Sequence, residues 1–369
     1  MSWIITHFEI VFAVLVVLGA VVVLLQQRRT PQSTVAWLMA IAVLPYFAVP
    51  LFLILGFRKQ VPKFSPISYT DCPPEDIIGA DPTERLLQRL GLPGATTGNS
   101  VRLLTTGEAA WEGLMELVAS AWHSLDVEFY IIAKDAVGVA FMTALTQKAR
   151  EGVRVRVLLD RLGTLWPPRK AVTALREAGG QVLFFSRFLR LPTPGHLNLR
   201  NHRKLVIADG ERAFSGGMNV GEEYLGPDPD AERWTDLAFL MEGPVVPASH
   251  DIFLSDWVVA GGATGNDVQA APRRAGAALV QPVPSGPDLK ADPLHDGLVH
   301  AIHAAQERVW IVTPYFLPTE LLSHAVSLAA RRGVDVRLVL PRKSNQKLAD
   351  FARGAYMREM AEAGARVLF

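Results

Sequence analysis

Apolar residues fall along this chain in two regimes. Ile4 to Leu25 is an almost unbroken apolar run in which only Thr6, His7 and Glu9 interrupt, and it is long enough to cross a bilayer core of about 30 Å. Gln26 to Pro31 breaks the run. Val35 to Leu55 is a second run of crossing length, with the amphipathic Trp37 and Tyr46 and two prolines, Pro45 and Pro50, that membrane helices tolerate. Gly56-Phe57-Arg58-Lys59 stops it. The pattern predicts a two-helix transmembrane hairpin over residues 1–60; the alternative is a pair of buried core helices. A cleaved leader fits poorly, because the first run has no basic start and a second run with a basic stop follows at once. Two crossings put the N-terminus and everything after Lys59 on one side. Arg58, Lys59 and Lys63 outnumber Arg28 and Arg29, so the cytoplasmic side is expected for the main domain.

Residues 61–100 read as a linker. Pro62, Pro66, Pro73, Pro74 and Pro82 punctuate it, with one helix around Glu84 to Leu90 stopped by Gly91. From Val101 onward helical and strand patterns alternate, as in a sheet with covering helices. Glu108 to Trp122 reads as helix and Asp126 to Ile132 as strand. Val139 to Arg150 is helix stopped by Gly152, and the alternating Val153 to Leu159 is strand. Lys170 to Ala178 is helix stopped by Gly179-Gly180, and Val182 to Phe185 is strand.

That order recurs. Leu298 to Gln306, Val309 to Phe316, Leu321 to Arg332, Val334 to Leu340 and Phe351 to Ala363 repeat helix, strand, helix, strand, helix. A-R-E-G-V-R-V-R-V-L-L from Ala149 parallels A-R-R-G-V-D-V-R-L-V-L from Ala330, and A-G-G-Q-V-L-F from Ala178 parallels A-G-A-R-V-L-F from Ala363. The expected organisation is a first repeat over 101–260, a Gly/Ala-rich linker over 261–276 and an incomplete second repeat over 277–369.

Composition narrows the function. The 37 basic and 36 acidic residues leave a net charge of +1, so the basic excess that a general nucleic-acid binder uses is absent. Cys72 is the single cysteine, which excludes an intramolecular disulfide and a cysteine-based zinc cluster. The chemistry concentrates in Asn201 to Asn219, N-H-R-K-L-V-I-A-D-G-E-R-A-F-S-G-G-M-N. Ahead of a short strand over 205–208, His202 and Lys204 stand two apart and so share one face, a pairing suited to phosphate chemistry. Asp209 falls at the strand's end, where Asp-Gly also reads as a turn. The array is a site, or a hairpin with coincidental charges.

The H-x-K-x-x-x-x-D array of His202, Lys204 and Asp209, followed by Gly216-Gly217-Met218-Asn219, resembles the HKD motif and G-S-x-N tail of the phospholipase D superfamily, with Gly217 where the family has serine. Within that superfamily the chain is similar to bacterial cardiolipin synthases: in R-R-T-P-Q-S-T-V-A-W-L, L-P-Y-F and L-G-F-R-K near the start, in G-G-M-N-V-G-E-E-Y and W-T-D, and in Q-P-V-P-S-G-P-D followed by T-P-Y-F-L-P. The resemblance implies an α/β fold, a phospholipase D-like sandwich of mixed sheet and helices, here one full repeat plus a partial second behind the hairpin. It implies a bacterial inner-membrane, multi-pass phosphatidyltransferase that makes cardiolipin and glycerol from two phosphatidylglycerols, with no metal or cofactor and no nucleic-acid partner.

By the same resemblance His202 is the nucleophile, Lys204 binds phosphate oxygens, Asp209 orients an imidazole, and Asn219, with Gly217 in the same tail, serves the substrate. Glu128 is either a site carboxylate touching a histidine or an exposed or salt-bridged strand residue. Trp234 and Asp236 read as structural. Arg200 and Arg203 either steer anionic headgroups or face solvent. The family's second HKD motif is expected about 17 residues past a V-L-F strand, and these 369 residues contain one. The expectation is therefore little synthase activity from this polypeptide alone. Homodimers rebuild the site in some single-motif members, so self-association is a further expectation, although the half-repeat should occupy that docking face. A hydrolase releasing phosphatidic acid and a catalytically silent membrane protein are the competing readings.

Overall fold

The computed structural model describes residues 2–27, 29–56, 67–69, 81–185, 201–263, 265, 273–286, 289 and 292–369. Arg28, Arg58, Lys59, Lys63, Cys72, Arg200, the prolines at 62, 66, 73 and 74 and most of 264–272 lie outside the described residues.

The N-terminal run forms α1 (Ser2–Gln26), about 37 Å long at 1.5 Å per residue, with Glu9–Gln26 apolar enough to cross a membrane. The hairpin expectation is met in part, because the second run is not one continuous helix. It forms two short helices, α2 (Pro31–Val43) and α3 (Pro45–Leu55), broken at Leu44, whose φ of −133° and ψ of 59° lie outside the helical region. The cause is Pro45, which disfavours helical geometry in the residue before it and becomes the first residue of α3. Neither piece alone spans 30 Å. Thr30 caps α2 by accepting a hydrogen bond from the Ser33 N–H, and Ala20 and Leu24 pack with Ile41, Ala48, Val49 and Phe52.

The first globular unit is an eight-stranded mixed sheet. In chain order it contains β1 (Thr96–Leu104), α5 (Gly107–Ser120), β2 (Ser124–Phe129), α6 (Ala136–Arg150), β3 (Arg154–Asp160), α7 (Arg169–Glu177), β4 (Gln181–Phe185), β5 (Leu205–Ala208), β6 (Arg212–Gly216), β7 (Ala238–Glu242), α8 (Val245–Val259) and β8 (Ala278–Val280). The strand order is β4-β3-β2-β5-β6-β7-β1-β8, with β2, β3 and β4 parallel and the remainder antiparallel. Leu125, Val127 and Phe129 of β2 point into one core with Leu114 and Leu117 of α5 and Phe141 and Leu145 of α6. Leu158, Ile207, Ala213 and Met241 form the other core with Phe253 and Trp257 of α8. Asp126 and Glu128, on alternate positions of β2, therefore face the α8 side and are buried.

The second unit takes α4 (Pro82–Arg89), α9 (Pro293–Ala304), β9 (Arg308–Val312), α10 (Glu320–Arg331), β10 (Asp335–Val339), α11 (Lys347–Glu362) and β11 (Arg366–Leu368). Its sheet, β11-β10-β9, is wholly parallel. The β9-α10-β10-α11-β11 order reproduces β2-α6-β3-α7-β4, as the repeat predicts. Even the helix stops match: Gly152 and Gly333 have φ of 90° and 87°, and Gly179 and Gly364 have 92° and 100°, the left-handed geometry of a helix C-terminus. Two segments fall elsewhere than the expected boundaries. The helix in the linker, α4, packs on α9, where Thr83 Oγ1 lies 3.0 Å from His300 Nδ1, and β8 adds to the first sheet beside β1.

Candidate active site

The sheet register builds the site. β5 runs antiparallel to β2 with Glu128 opposite Leu205, β6 returns with Ser215 opposite Leu205, and β7 begins with Ala238 opposite Gly216. The C-terminal ends of β2 and β6 and the N-terminal ends of β5 and β7 thus meet at one end of the sheet. Tyr130, His202, Lys204, Gly217, Asn219 and Asp236 all lie at or just beyond those strand ends.

His202 and Lys204 share a face, as their spacing predicts. Lys204 Nζ lies 3.0 Å from Nδ1 and 3.4 Å from Nε2 of His202 and donates to the His202 carbonyl at 2.8 Å. Tyr130 stacks obliquely on the imidazole, with ring centroids 4.6 Å apart, and the ammonium sits 5.6 Å from the centre of the same ring. Burial lowers the His202 pKa to about 4, with the Lys204 charge acting in the same direction. Burial also lowers Lys204, to about 8, while Asp236 and Glu128 oppose that fall by their charge. Near neutral pH the pair is an uncharged imidazole beside a charged ammonium.

Backbone and side-chain bonds fix the residue before the histidine. The Asn201 N–H donates to Asp160 Oδ2 at 3.3 Å, its Oδ1 accepts from the Arg203 N–H at 3.0 Å, and its side-chain amide donates to Glu128. Burial pushes the Glu128 carboxyl well above the usual carboxylate range, and the neighbouring charge of Asp256 adds to the push. The protonated form of Glu128 is thereby favoured. Glu128 bonds to Asn201, and among the described residues no histidine is hydrogen-bonded to it. Arg203 turns inward to pair with Asp256 on α8 rather than outward to steer headgroups. Alongside, Arg156 donates to both oxygens of Asp126 at 2.6 and 2.8 Å, and His250 Nε2 lies 2.9 Å from one of them.

Asp209 lies away from the His202 imidazole. It sits at the far end of β5, five residues from Lys204, roughly 16 Å along extended chain. Its carboxylate accepts from the N–H groups of Trp122 at 2.9 Å and of His123 and Ser124 at 2.7 Å each, tying the start of β2 to the β5–β6 turn. Asp209 and Gly210, the turn's central residues, have φ of 55° and 69°, the hairpin geometry that Asp-Gly favours.

Asn219 Oδ1 accepts from the Ile131 N–H at 3.2 Å, which fixes the amide's orientation and turns its NH2 the other way. Gly217 is glycine because a Cβ there would overlap the Asp236 carboxylate. Asp236 is thus brought close to the site's lysine, a placement that a structural reading of W-T-D did not anticipate. Tyr130 is a further site residue, marked in the sequence only by its place two residues beyond Glu128. Among the described residues no cluster of three or more His, Cys, Asp or Glu side chains is arranged to hold a metal.

An α/β domain with a histidine–lysine pair at the end of a mixed sheet, followed by the second, parallel copy of its β-α-β-α-β unit, defines a phospholipase D-like protein. Residues 114–246 and 298–369 match the family described as cardiolipin synthase, PLD-like domain, and residues 14–56 match the phospholipase D-nuclease N-terminal family. The chain is 34% identical to cardiolipin synthase A of Pseudomonas fluorescens (strain SBW25) over 92% of its own length and 74% of that protein's. It is 30% identical to the cardiolipin synthase of Halalkalibacterium halodurans over 99% and 77%. The chain belongs to the cardiolipin synthase family. Its fold is shared with phosphatidylserine synthase of Haemophilus influenzae Rd KW20, at a TM-score of 0.55 and 15% identity over 77% of this chain and 76% of that one. Family and apolar α1 together point to membrane association.

Proposed function

We propose that the protein is a membrane-bound phosphatidyltransferase in which His202 carries the phosphatidyl group between two phosphatidylglycerols. The observation that supports this most is the pairing of a neutral imidazole with a charged ammonium 3.0 Å away. A nitrogen lone pair of His202 attacks phosphorus, the bond to the headgroup glycerol oxygen breaks, and that oxygen leaves as glycerol after taking a proton from a second acid. In the family resemblance that acid is the histidine of the second motif, so the proposal gives His202 the covalent half of the exchange. The hydroxyl of a second phosphatidylglycerol then attacks phosphorus, giving its proton to the base that the second acid has become as the P–N bond breaks, and cardiolipin forms with His202 restored.

Without substrate the Lys204 ammonium is satisfied by His202; with a phosphodiester in place its donors turn to the phosphate oxygens, where negative charge develops. The Asn219 NH2 is the second donor proposed for those oxygens. For topology, α1 is one crossing and the broken pair α2 and α3 is the second, with the globular units on the cytoplasmic side. Product analysis on phosphatidylglycerol vesicles tests the reading. Whatever turnover this polypeptide supports is expected to release cardiolipin and glycerol and to be lost in His202→Ala; phosphatidic acid as the sole product would replace transfer by hydrolysis.

A further inference from the structure

The loop after β3, residues 161–168, ends in an exposed apolar tip that the transfer chemistry does not use. Trp166 is 74% and Leu165 47% exposed, followed directly by Pro167 and Pro168. The tip is anchored to the site rather than loose. Thr164 is buried, donates from Oγ1 to the Tyr130 carbonyl at 2.9 Å and accepts from the Ile132 N–H at 3.4 Å. Gly163 packs so closely on Tyr130 that a Cβ would overlap it. Tyr130 in turn lies on the His202 ring. An exposed tryptophan therefore stands two residues along the chain from Thr164, which bonds to the backbone of the residue whose ring covers the proposed nucleophile.

Charge identifies what the tip meets. From Arg161 to Arg176 the chain carries Arg161, Arg169, Lys170 and Arg176 and no acidic residue, in a protein whose acids and bases otherwise balance. All four are exposed. A tryptophan and a leucine flanked by basic side chains suit the boundary between acyl chains and anionic headgroups, where the indole sits at headgroup level and each nearby basic residue contributes attraction. The pattern also continues an association with the membrane that α1 already supplies.

We propose that residues 161–170 form an interfacial docking loop. Trp166 and Leu165 enter the outer part of the bilayer, Arg161, Arg169 and Lys170 engage anionic headgroups, and the mouth of the His202 site is held at the headgroup plane. The inference rests on the reading of the substrate as a membrane phospholipid.

The test uses the full chain with Cys72→Ser, which removes the single cysteine, and a polarity-sensitive fluorophore on Trp166→Cys. Glu151→Cys, exposed at the opposite end of β3, is the comparison site. Both are reconstituted into vesicles of equal parts phosphatidylglycerol and phosphatidylcholine, with and without doxyl-labelled lipid. The expected result is a shift of the residue-166 label to shorter wavelength and doxyl quenching at least about threefold stronger than at residue 151, weakening in vesicles of phosphatidylcholine alone. Equal access of aqueous iodide to both labels, with no doxyl quenching, would overturn the proposal. So would shielding from iodide without doxyl quenching, which would mean that a second copy covers the tip. Doxyl quenching undiminished in phosphatidylcholine would overturn the role given to the basic side chains. The readout needs no turnover, so it stands or falls separately from the covalent chemistry of His202.

Discussion

The ammonium of Lys204 lies 3.0 Å from Nδ1 of His202, and burial lowers the pKa of both groups. The lysine's charge helps keep the imidazole neutral, the form that can attack phosphorus. Burial at the same time brings the lysine down to about 8, within reach of deprotonation. Activity requires His202 without its extra proton and Lys204 with its proton. The rate against pH should therefore rise through about 4, hold through neutrality and fall through about 8. In Lys204→Met the acid limb should move up toward the ordinary histidine value, with kcat down roughly a hundredfold or more for loss of a charged donor. An acid limb unmoved in that variant would show that the lysine's charge does not reach the imidazole.

Gly217→Ala probes the same pair from the other side. The added Cβ displaces the Asp236 carboxylate, whose charge supports protonation of Lys204. The alkaline limb should move to lower pH while the acid limb moves little. An unchanged alkaline limb would separate Asp236 from the lysine.

Asp209 is predicted to serve stability rather than chemistry. Asp209→Ala strips the acceptor from three N–H groups and puts alanine at a φ of 55°, a cost of roughly 1–3 kcal/mol in chemical denaturation. The histidine adduct should still form in the folded fraction. A variant that folds normally but forms no adduct would return Asp209 to the reaction.

Burial favours the protonated form of Glu128, so Glu128→Gln should preserve the scaffold and Glu128→Ala should leave the Asn201 amide unpaired. The sign of the pH effect follows from the raised carboxyl. Stability from this group is fully present below the usual glutamate value and is lost as pH rises through its raised folded-state value. Glu128→Gln should therefore flatten the loss of stability between mildly acidic and alkaline pH; equal slopes for both proteins in denaturation series would contradict the assignment.

The tandem β-α-β-α-β units were legible because their strands are apolar and their helices amphipathic, with glycine stops at matching places such as Gly152 and Gly333. His202 and Lys204 were legible because two-residue spacing fixes a shared face in any extended segment. The role of Asp209 was hidden because its partners are backbone N–H groups of Trp122, His123 and Ser124, which carry no side-chain signature. α8 was hidden for a different reason. It is buried on most of its circumference, from Val245 through His250 and Phe253 to Trp257, so no polar face marks its period. Since α8 supplies Asp256 and His250, the polar network beneath the site could not be read ahead of the helix. The break at Leu44 shows the limit of hydropathy alone: the run is apolar throughout, yet Pro45 divides it.

The central claim, that His202 carries the phosphatidyl group, is tested most directly by quenching the reconstituted protein in denaturant after exposure to phosphatidylglycerol labelled at phosphorus. An acid-labile, alkali-stable label that maps to the peptide containing His202 and is absent from His202→Ala is expected. Label retained in that variant, or carried by another residue of the wild type, would contradict it.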